Sequence, residues 1–302
     1  MNKKKIKTRM TNNGMIAYYA EKAITVRFNK DETEKMLKKK IDFTKYDEFC
    51  EVTHLEISNN CNMNCPYCYT GEKKGEELSV NQWKQIIDTL VDYGVFQITF
   101  GGGEPTLYNG LLELAMYANT RGLNVGMTTN GKILDQIAGK WLKSLFKQVN
   151  ISWHQNGKDL IDPIEHLFDN NVPIGINYCY SKDMSTDNEE VKELAKHYDA
   201  ELLYLAYKPV IGDFDNVIQP VDIYKIAEEA SDEGIRVAVD GPCAGLCMMK
   251  KKFCDIDHAG EAFPCSFVRE TMGNVLEKDF KSIWSERGKQ VKCPYVEIAK
   301  EV

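Results

Sequence analysis

From Val52 to Glu233 the sequence repeats one unit six times: a short apolar run, a polar or glycine-rich turn, then a stretch with apolar residues three and four apart. The runs Val52–Ile57, Val95–Phe100, Leu123–Thr128, Gln148–Trp153, Pro173–Tyr180 and Glu201–Tyr207 read as strands. The stretches between them read as helices. The first is capped by Ser79 and carries Trp83, Ile86, Ile87 and Leu90 on one face, and the second is ended by Gly122. Helices are also expected over Tyr108–Arg121, Ile133–Phe146 with a break near Gly139, Leu160–Asp169, Thr186–Tyr198 and Asp222–Glu233. Units of this kind in series require parallel strands joined by right-handed crossovers. Because the repeats stop near residue 235, the expected fold class is α/β, a partial (β/α)6 TIM-like barrel rather than a closed eight-fold one. Chemistry in such folds gathers at the carboxyl ends of the strands.

Three segments follow: an N-terminal β/α extension at 1–50, the partial barrel at 51–235, and a small C-terminal segment at 236–302. In the first, residues 14–29 read as β structure turning near Glu21-Lys22, and Asp31–Lys40 as a helix with Asp31 as its N-cap. Fifty residues are few for a separate domain, and no leader-peptide recognition domain is read there. The last segment holds a short strand, a hairpin at Cys254–Pro264 and a helix at Lys278–Arg287. It has too little apolar sequence for a core of its own, so metal is expected to staple it.

Charge excludes some roles. A net charge of −7 and a pI near 5.4 argue against a nucleic-acid surface. The clusters Lys3–Lys5 and Lys38–Lys40 read as solvated surface, with capacity to hold an acidic substrate segment. No apolar run nears the roughly 20 residues that span a bilayer, and no apolar stretch follows the basic start. The expected location is the cytoplasm, without membrane contact. There, ten cysteines point to metal or redox work rather than disulfides.

The cysteines fall into two groups. Cys61, Cys65 and Cys68 form C-N-M-N-C-P-Y-C directly after the first barrel strand, and five lie between Cys243 and Cys293. A zinc or cubane site normally takes four protein ligands, so three thiols leave two readings: a distant fourth ligand, or a metal position open to a small molecule. The second barrel strand ends in Gly101-Gly102-Gly103-Glu104-Pro105, whose glycines let backbone approach a ligand and whose carbonyls and Glu104 can accept bonds from an ammonium. Thr129-Asn130 and Ser152 close the third and fourth strands. Asn177 and Cys179 lie on the fifth. Each polar residue alone is as readily a satisfied turn or strand residue as a ligand. His54 and His154 lie near strand ends and could line the site, but ordinary packing explains them better.

The C-x3-C-x2-C loop followed one unit later by G-G-E-P resembles the radical S-adenosylmethionine (SAM) superfamily, along residues 51–235. The resemblance implies that Cys61, Cys65 and Cys68 hold a [4Fe–4S] cluster whose fourth iron chelates SAM. It places Tyr67 beside the adenine, and Gly102, Gly103, Glu104, Pro105, Thr129, Asn130, Ser152 and Asn177 among the SAM contacts. Reductive cleavage of the sulfonium then gives a 5′-deoxyadenosyl radical that removes a hydrogen atom from substrate. The C-terminal segment, with Cys243, Cys247, Ile256-Asp257-x-x-Gly260-x-x-x-Pro264-Cys265, Gly273-Asn274 and Ile283-Trp284, resembles the SPASM/twitch extension. That implies one auxiliary Fe–S cluster drawn from Cys243, Cys247, Cys254, Cys265 and Cys293, against a structural zinc ribbon on the same spacing. A low-potential donor such as flavodoxin or ferredoxin is implied as partner. The implied substrate is a peptide or protein that is cross-linked, given a thioether or epimerised, with Cys179 as possible hydrogen-atom donor; a small-molecule substrate is the alternative. A non-catalytic Fe–S carrier or sensor would not need the G-G-E-P loop.

Overall fold

The computed structural model describes residues 6–19, 24–47, 49–65, 67–70, 76–154, 157–208, 215–241 and 252–289. Strands β1 (Ile6–Thr11), β2 (Gly14–Tyr19) and β3 (Ile24–Phe28) form an antiparallel sheet in that order. Its β1–β2 turn needs Gly14, at φ +136°, because a Cβ there would lie 2.0 Å from the Phe28 carbonyl oxygen. The following helix, α1 (Lys30–Leu37), is capped two residues earlier than expected and ends three residues sooner. Its cap is Asn29, not Asp31. Glu32 stands three residues on and accepts from the Asn29 backbone N–H, completing a capping box, while Glu34, three residues after Asp31, accepts from Lys40 and the Ile41 amide instead.

The barrel alternates strand and helix: β4 (Val52–Ser58), α2 (Val80–Tyr93), β5 (Gln97–Gly102), α3 (Leu111–Thr120), β6 (Asn124–Thr129), α4 (Gly139–Leu145), β7 (Gln148–Ser152), α5 (Ile161–Asp169), β8 (Ile174–Tyr180), α6 (Asn188–His197), β9 (Glu201–Ala206), α7 (Pro220–Asp232) and β10 (Val237–Val239). Strands β4 to β10 pair in parallel in chain order, so the wall has one parallel strand more than the six expected. The short run Val237–Val239, too brief to carry a period, supplies it. Helix α2 is capped by Ser79 and stopped by Gly94 at φ +97°. It buries Trp83, Ile86, Ile87 and Leu90 against the sheet, each burial stabilising by roughly 1.5–3 kcal/mol.

The C-terminal segment continues the same sheet. β11 (Phe253–Ile256) pairs in parallel with the free side of β4, and β12 (Glu261–Phe263) and β13 (Gly273–Asn274) follow antiparallel. Helix α8 (Phe280–Ser285) lays Phe280 against Tyr93 of α2, ring centres 4.9 Å apart. Ile256, Ala262, Ile283 and Trp284 are buried in the barrel's own core cluster. The segment therefore shares that core. The N-terminal sheet docks at the opposite end, where Tyr18 stacks on Phe96 and its hydroxyl bonds Gln97 and Asn124, the first residues of β5 and β6. The carboxyl ends of the strands lie away from it. Among the described residues no helix is long and apolar enough to cross a membrane.

Candidate active site

β4 ends at Ser58 and the chain enters the three-cysteine loop. Glu77 gathers the entry, its Oε1 accepting from the Ser58 hydroxyl (2.7 Å), the Asn59 amide (2.9 Å) and the Asn60 side chain (3.1 Å). Cys61, Cys65 and Cys68 are partly exposed free thiols, and the Cys68 amide donates to the Cys65 carbonyl at 3.2 Å. Each sulfur has a polar neighbour from another part of the site: Asn130 Nδ2 at 3.8 Å from Cys61, His154 Nδ1 at 3.8 Å from Cys65, and Thr70 Oγ1 at 3.1 Å from Cys68. Polar groups around sulfur stabilise thiolates and orient them as ligands.

The glycine loop lies directly against this entry. The Gly103 amide donates to the Ser58 carbonyl and the Glu104 amide to the Asn60 carbonyl, both at 2.7 Å. Gly102 sits at φ +109°, and a Cβ on Gly103 would fall 2.2 Å from the Asn60 oxygen. Both positions therefore need glycine for close backbone approach. Glu104 is buried and takes a role other than expected. Its Oε1 accepts from the Thr129 hydroxyl (2.7 Å), the Thr106 hydroxyl (2.6 Å) and the Thr106 amide (3.0 Å), and its Oε2 from the Asn130 amide (2.7 Å). The carboxylate ties the β5 and β6 loops together, and Pro105 starts the short helical turn behind it. Asn130 then reaches across to Asn62 Oδ1 at 2.7 Å, joining the β6 loop to the cysteine loop.

Ser152, the last residue of β7, is the register partner of Asn177 in the middle of β8. The Asn177 Oδ1 is buried without a hydrogen-bond partner, as is His154 Nε2. Such orphan polar atoms are what a bound polar ligand satisfies. Tyr67 bonds His154 Nδ1 at 2.7 Å. Burial and the nearby Lys132 hold His154 below its ordinary pKa, so the ring is neutral, with one nitrogen carrying the proton and the other a lone pair. Sequence reasoning left His154 as packing, because nothing local to Trp153-His154 shows that the residue meets Cys65 and Tyr67 from 87 and more positions away. Cys179 lies among Tyr67, Lys208 and Asp240, and burial pushes its thiol up to about 11, so it stays S–H at neutral pH.

Of the second cysteine group, Cys243, Cys247 and Cys293 lie outside the described residues. Cys265 is partly exposed at a bridge to Val268. Cys254 departs from the expectation of a ligand: it is fully buried in β11, and burial followed by a bond with Cys50 raises its thiol well above the ordinary range.

Beneath both loops lies a buried charge network that the sequence did not announce. His54 on β4 pairs with Asp255 on β11 (3.0 Å). Arg269 forks onto Glu56 at 3.1 and 2.8 Å and donates to Asp255 at 3.1 Å. His54, Glu56 and Asp255 converge as metal-ligating groups do, but Arg269 supplies the positive charge there. The network reaches the glycine loop, since a Cβ at Gly101 would lie 2.1 Å from His54 Nε2.

Comparison with known proteins agrees with this geometry. A family model for the radical SAM superfamily matches residues 55–172, and one for an iron-sulfur cluster-binding (SPASM) domain matches 247–298. An AdoMet-dependent heme synthase of Methanosarcina barkeri is 24% identical, over 76% of this chain and 80% of that protein. Mycofactocin maturase MftC of Mycolicibacterium smegmatis is 28% identical, over 76% of this chain and 68% of that protein. A PqqA peptide cyclase of Bradyrhizobium diazoefficiens is 37% identical across 26% of this chain and 22% of its own length. Streptococcus suis SuiB, solved with its precursor peptide SuiA, superposes with a TM-score of 0.76 at 15% identity, covering 98% of this chain and 89% of that one.

Proposed function

Because the chain belongs to the radical SAM superfamily and carries a SPASM-type iron–sulfur domain after its barrel, we propose that it is an enzyme modifying a peptide or protein substrate by hydrogen-atom abstraction. Cys61, Cys65 and Cys68 hold the SAM-binding [4Fe–4S] cluster in this reading, and Cys265 with Cys243, Cys247 and Cys293 holds an auxiliary one. The fit rests on the donor set: three accessible thiols, each beside a polar group, at the carboxyl end of a parallel sheet. When bound, cluster and SAM together supply a carbon-centred radical able to break an unactivated C–H bond.

The protein's own residues do the positioning. Glu104 fixes the glycine and Thr129-Asn130 loops in one arrangement, leaving the Gly102–Gly103 backbone to approach the amino-acid end of SAM. His154 Nε2 and Asn177 Oδ1, both buried without a hydrogen-bond partner, are placed to bond the bound nucleoside. Asn130, bonded to Asn62 and to Cys61, keeps the cysteine loop from swinging away. Cys179, held as a thiol, can return a hydrogen atom to a substrate radical. A low-potential one-electron donor of the flavodoxin or ferredoxin kind completes the cycle.

The observation carrying the enzymatic reading is the Gly103–Ser58 and Glu104–Asn60 bonding that seats the glycine loop on the cysteine loop, which an electron carrier does not require. Similarity to a maturase and a peptide cyclase favours the peptide. The heme-synthase relative favours a second reading, a small-molecule substrate. Anaerobic incubation of reconstituted protein with SAM, reductant and the small peptides encoded beside its gene decides between them. A SAM-dependent mass change in one peptide is expected; 5′-deoxyadenosine with every peptide unchanged favours the small molecule.

A further inference from the structure

At the other end of β4 from the cysteine loop, a cavity of about 350 Å³ lies where the three segments of the chain meet. The N-terminal sheet supplies Ile16 and Arg27, the entry to β4 supplies Phe49 and Glu51, and the entry to β11 supplies Lys252. Ile16 and Arg27 are register partners on β2 and β3, so their side chains stand side by side on one face of that sheet. This face looks at the barrel, because Ile16 and Phe49 share a buried cluster with Phe96. The volume falls within the range of about 300–1,000 Å³ that small-molecule sites occupy.

The polar groups suit a ligand that carries both signs of charge. Glu51 is 3% exposed, and its Oε2 accepts from Arg27 Nη2 at 2.5 Å. Its Oε1 is buried with no hydrogen-bond partner, since the Lys252 ammonium, at 3.6 Å, stands beyond hydrogen-bond reach. A dry carboxylate oxygen in that state costs free energy that a donor on a ligand recovers. Arg27 and Lys252 bring two positive charges to the wall, and Glu51 and Glu32 two negative ones, so the wall is neutral. An ion of either sign entering it would lack compensation, whereas a zwitterion would not. Met15, Ile16 and Phe49 are buried and offer apolar contact.

We propose that this cavity binds a free α-amino acid with an apolar side chain. The ligand's ammonium donates to Glu51 Oε1, its carboxylate lies between the Arg27 and Lys252 cations, and its side chain packs on Ile16 and Phe49. A quaternary ammonium has no N–H for Oε1, and the first residue of a peptide has no α-carboxylate for the two cations, so both bind poorly. The site ties the N-terminal sheet to the strands that lead to the cysteine loop and to the C-terminal hairpin. It stands independently of the reaction at the opposite end of the barrel.

The test is calorimetric titration of the cluster-loaded full chain, held at saturating SAM so that the cysteine-loop site is filled. L-leucine and L-phenylalanine are the ligands. L-leucinamide, isocaproate and N,N,N-trimethyl-leucine are the controls, lacking in turn the carboxylate, the ammonium and the N–H. Each amino acid is expected to bind once per chain, with each control at least about tenfold weaker through the loss of one charge-assisted bond. Glu51→Gln and Lys252→Met are expected to weaken L-leucine by a similar factor. The Lys252 side chain is 28% exposed, so its variant gives the answer even where Glu51→Gln unsettles the fold. Absence of heat with both amino acids at millimolar concentration overturns the proposal. So does a control that binds as tightly as L-leucine, or parental affinity in Lys252→Met.

Discussion

Replacing Arg269 by Met is the perturbation with the largest magnitude the structure supports. The guanidinium bonds Glu56 at 3.1 and 2.8 Å and Asp255 at 3.1 Å, and those carboxylates are 2% and 0% exposed. Removing one partner of a buried ion pair costs about 3–5 kcal/mol, and burial beside Asp255 already raises Glu56 to about 7, so proton uptake by Glu56 holds the cost to the lower end. His54 bonds Asp255 from the other side and softens the loss at that carboxylate, so the expectation is about 3 kcal/mol. For a domain of this size that corresponds to roughly 6–12 °C in unfolding temperature. Anaerobic denaturant titration of the loaded protein measures it. Arg269→Lys keeps the charge and loses the fork, and is expected to fall between parent and Met variant. The double variant Glu56→Gln/Arg269→Met removes the stranded charge and is expected to recover part of the loss. A Met variant within about 0.5 kcal/mol of the parent, the range of an ordinary surface change, would refute the reasoning.

Other outcomes follow from the same geometry. Gly103→Ala puts a methyl 2.2 Å from the Asn60 oxygen, so the two loops must part; iron content and SAM binding by equilibrium dialysis are expected to fall together. Glu104→Gln keeps the shape but weakens charge-assisted bonds to Thr129 and Asn130, each worth about 1.5–3 kcal/mol when intact, and is expected to raise the SAM dissociation constant with iron unchanged. Cys179, pushed by burial to about 11 from an ordinary 9.0, is protonated below that value in the folded state. Its stabilising contribution is complete below pH 9 and lost as pH rises towards 11; alkylation followed by mass spectrometry is expected to rise over the same interval, and rapid labelling at pH 8 would contradict it.

The barrel was legible because its signal is local. Each strand and helix carries its own period and punctuation, as Ser79, Gly122 and the run Trp83 to Leu90 illustrate. The cysteine and glycine loops were legible for the same reason, being contiguous motifs at predicted strand ends. What escaped depends on partners distant in sequence. Cys254 reads as a ligand within its motif, yet β11 pairs with β4 some 200 residues earlier and seals its thiol beside Cys50. Glu104 reads as an exposed acceptor until Thr129 and Asn130 fold over it. Arg269 and Glu56 are 213 residues apart, a separation at which no periodicity gives warning. The N-cap of α1 was misplaced for a subtler reason: Asn29 and Asp31 are both competent caps with a glutamate three residues on, and Glu34 is drawn away to Lys40 and the Ile41 amide, leaving Glu32 to close the box on Asn29.

The most direct measurement is the iron and product count of anaerobically reconstituted protein beside its Cys68→Ala variant. The parent should hold about eight iron per chain, four for each [4Fe–4S] cluster, and release 5′-deoxyadenosine from SAM under reduction. The variant should lose about four iron and all product while keeping the auxiliary EPR signal. Undiminished SAM cleavage by Cys68→Ala, or zinc in place of iron at Cys61, Cys65 and Cys68 of the parent, would contradict the account.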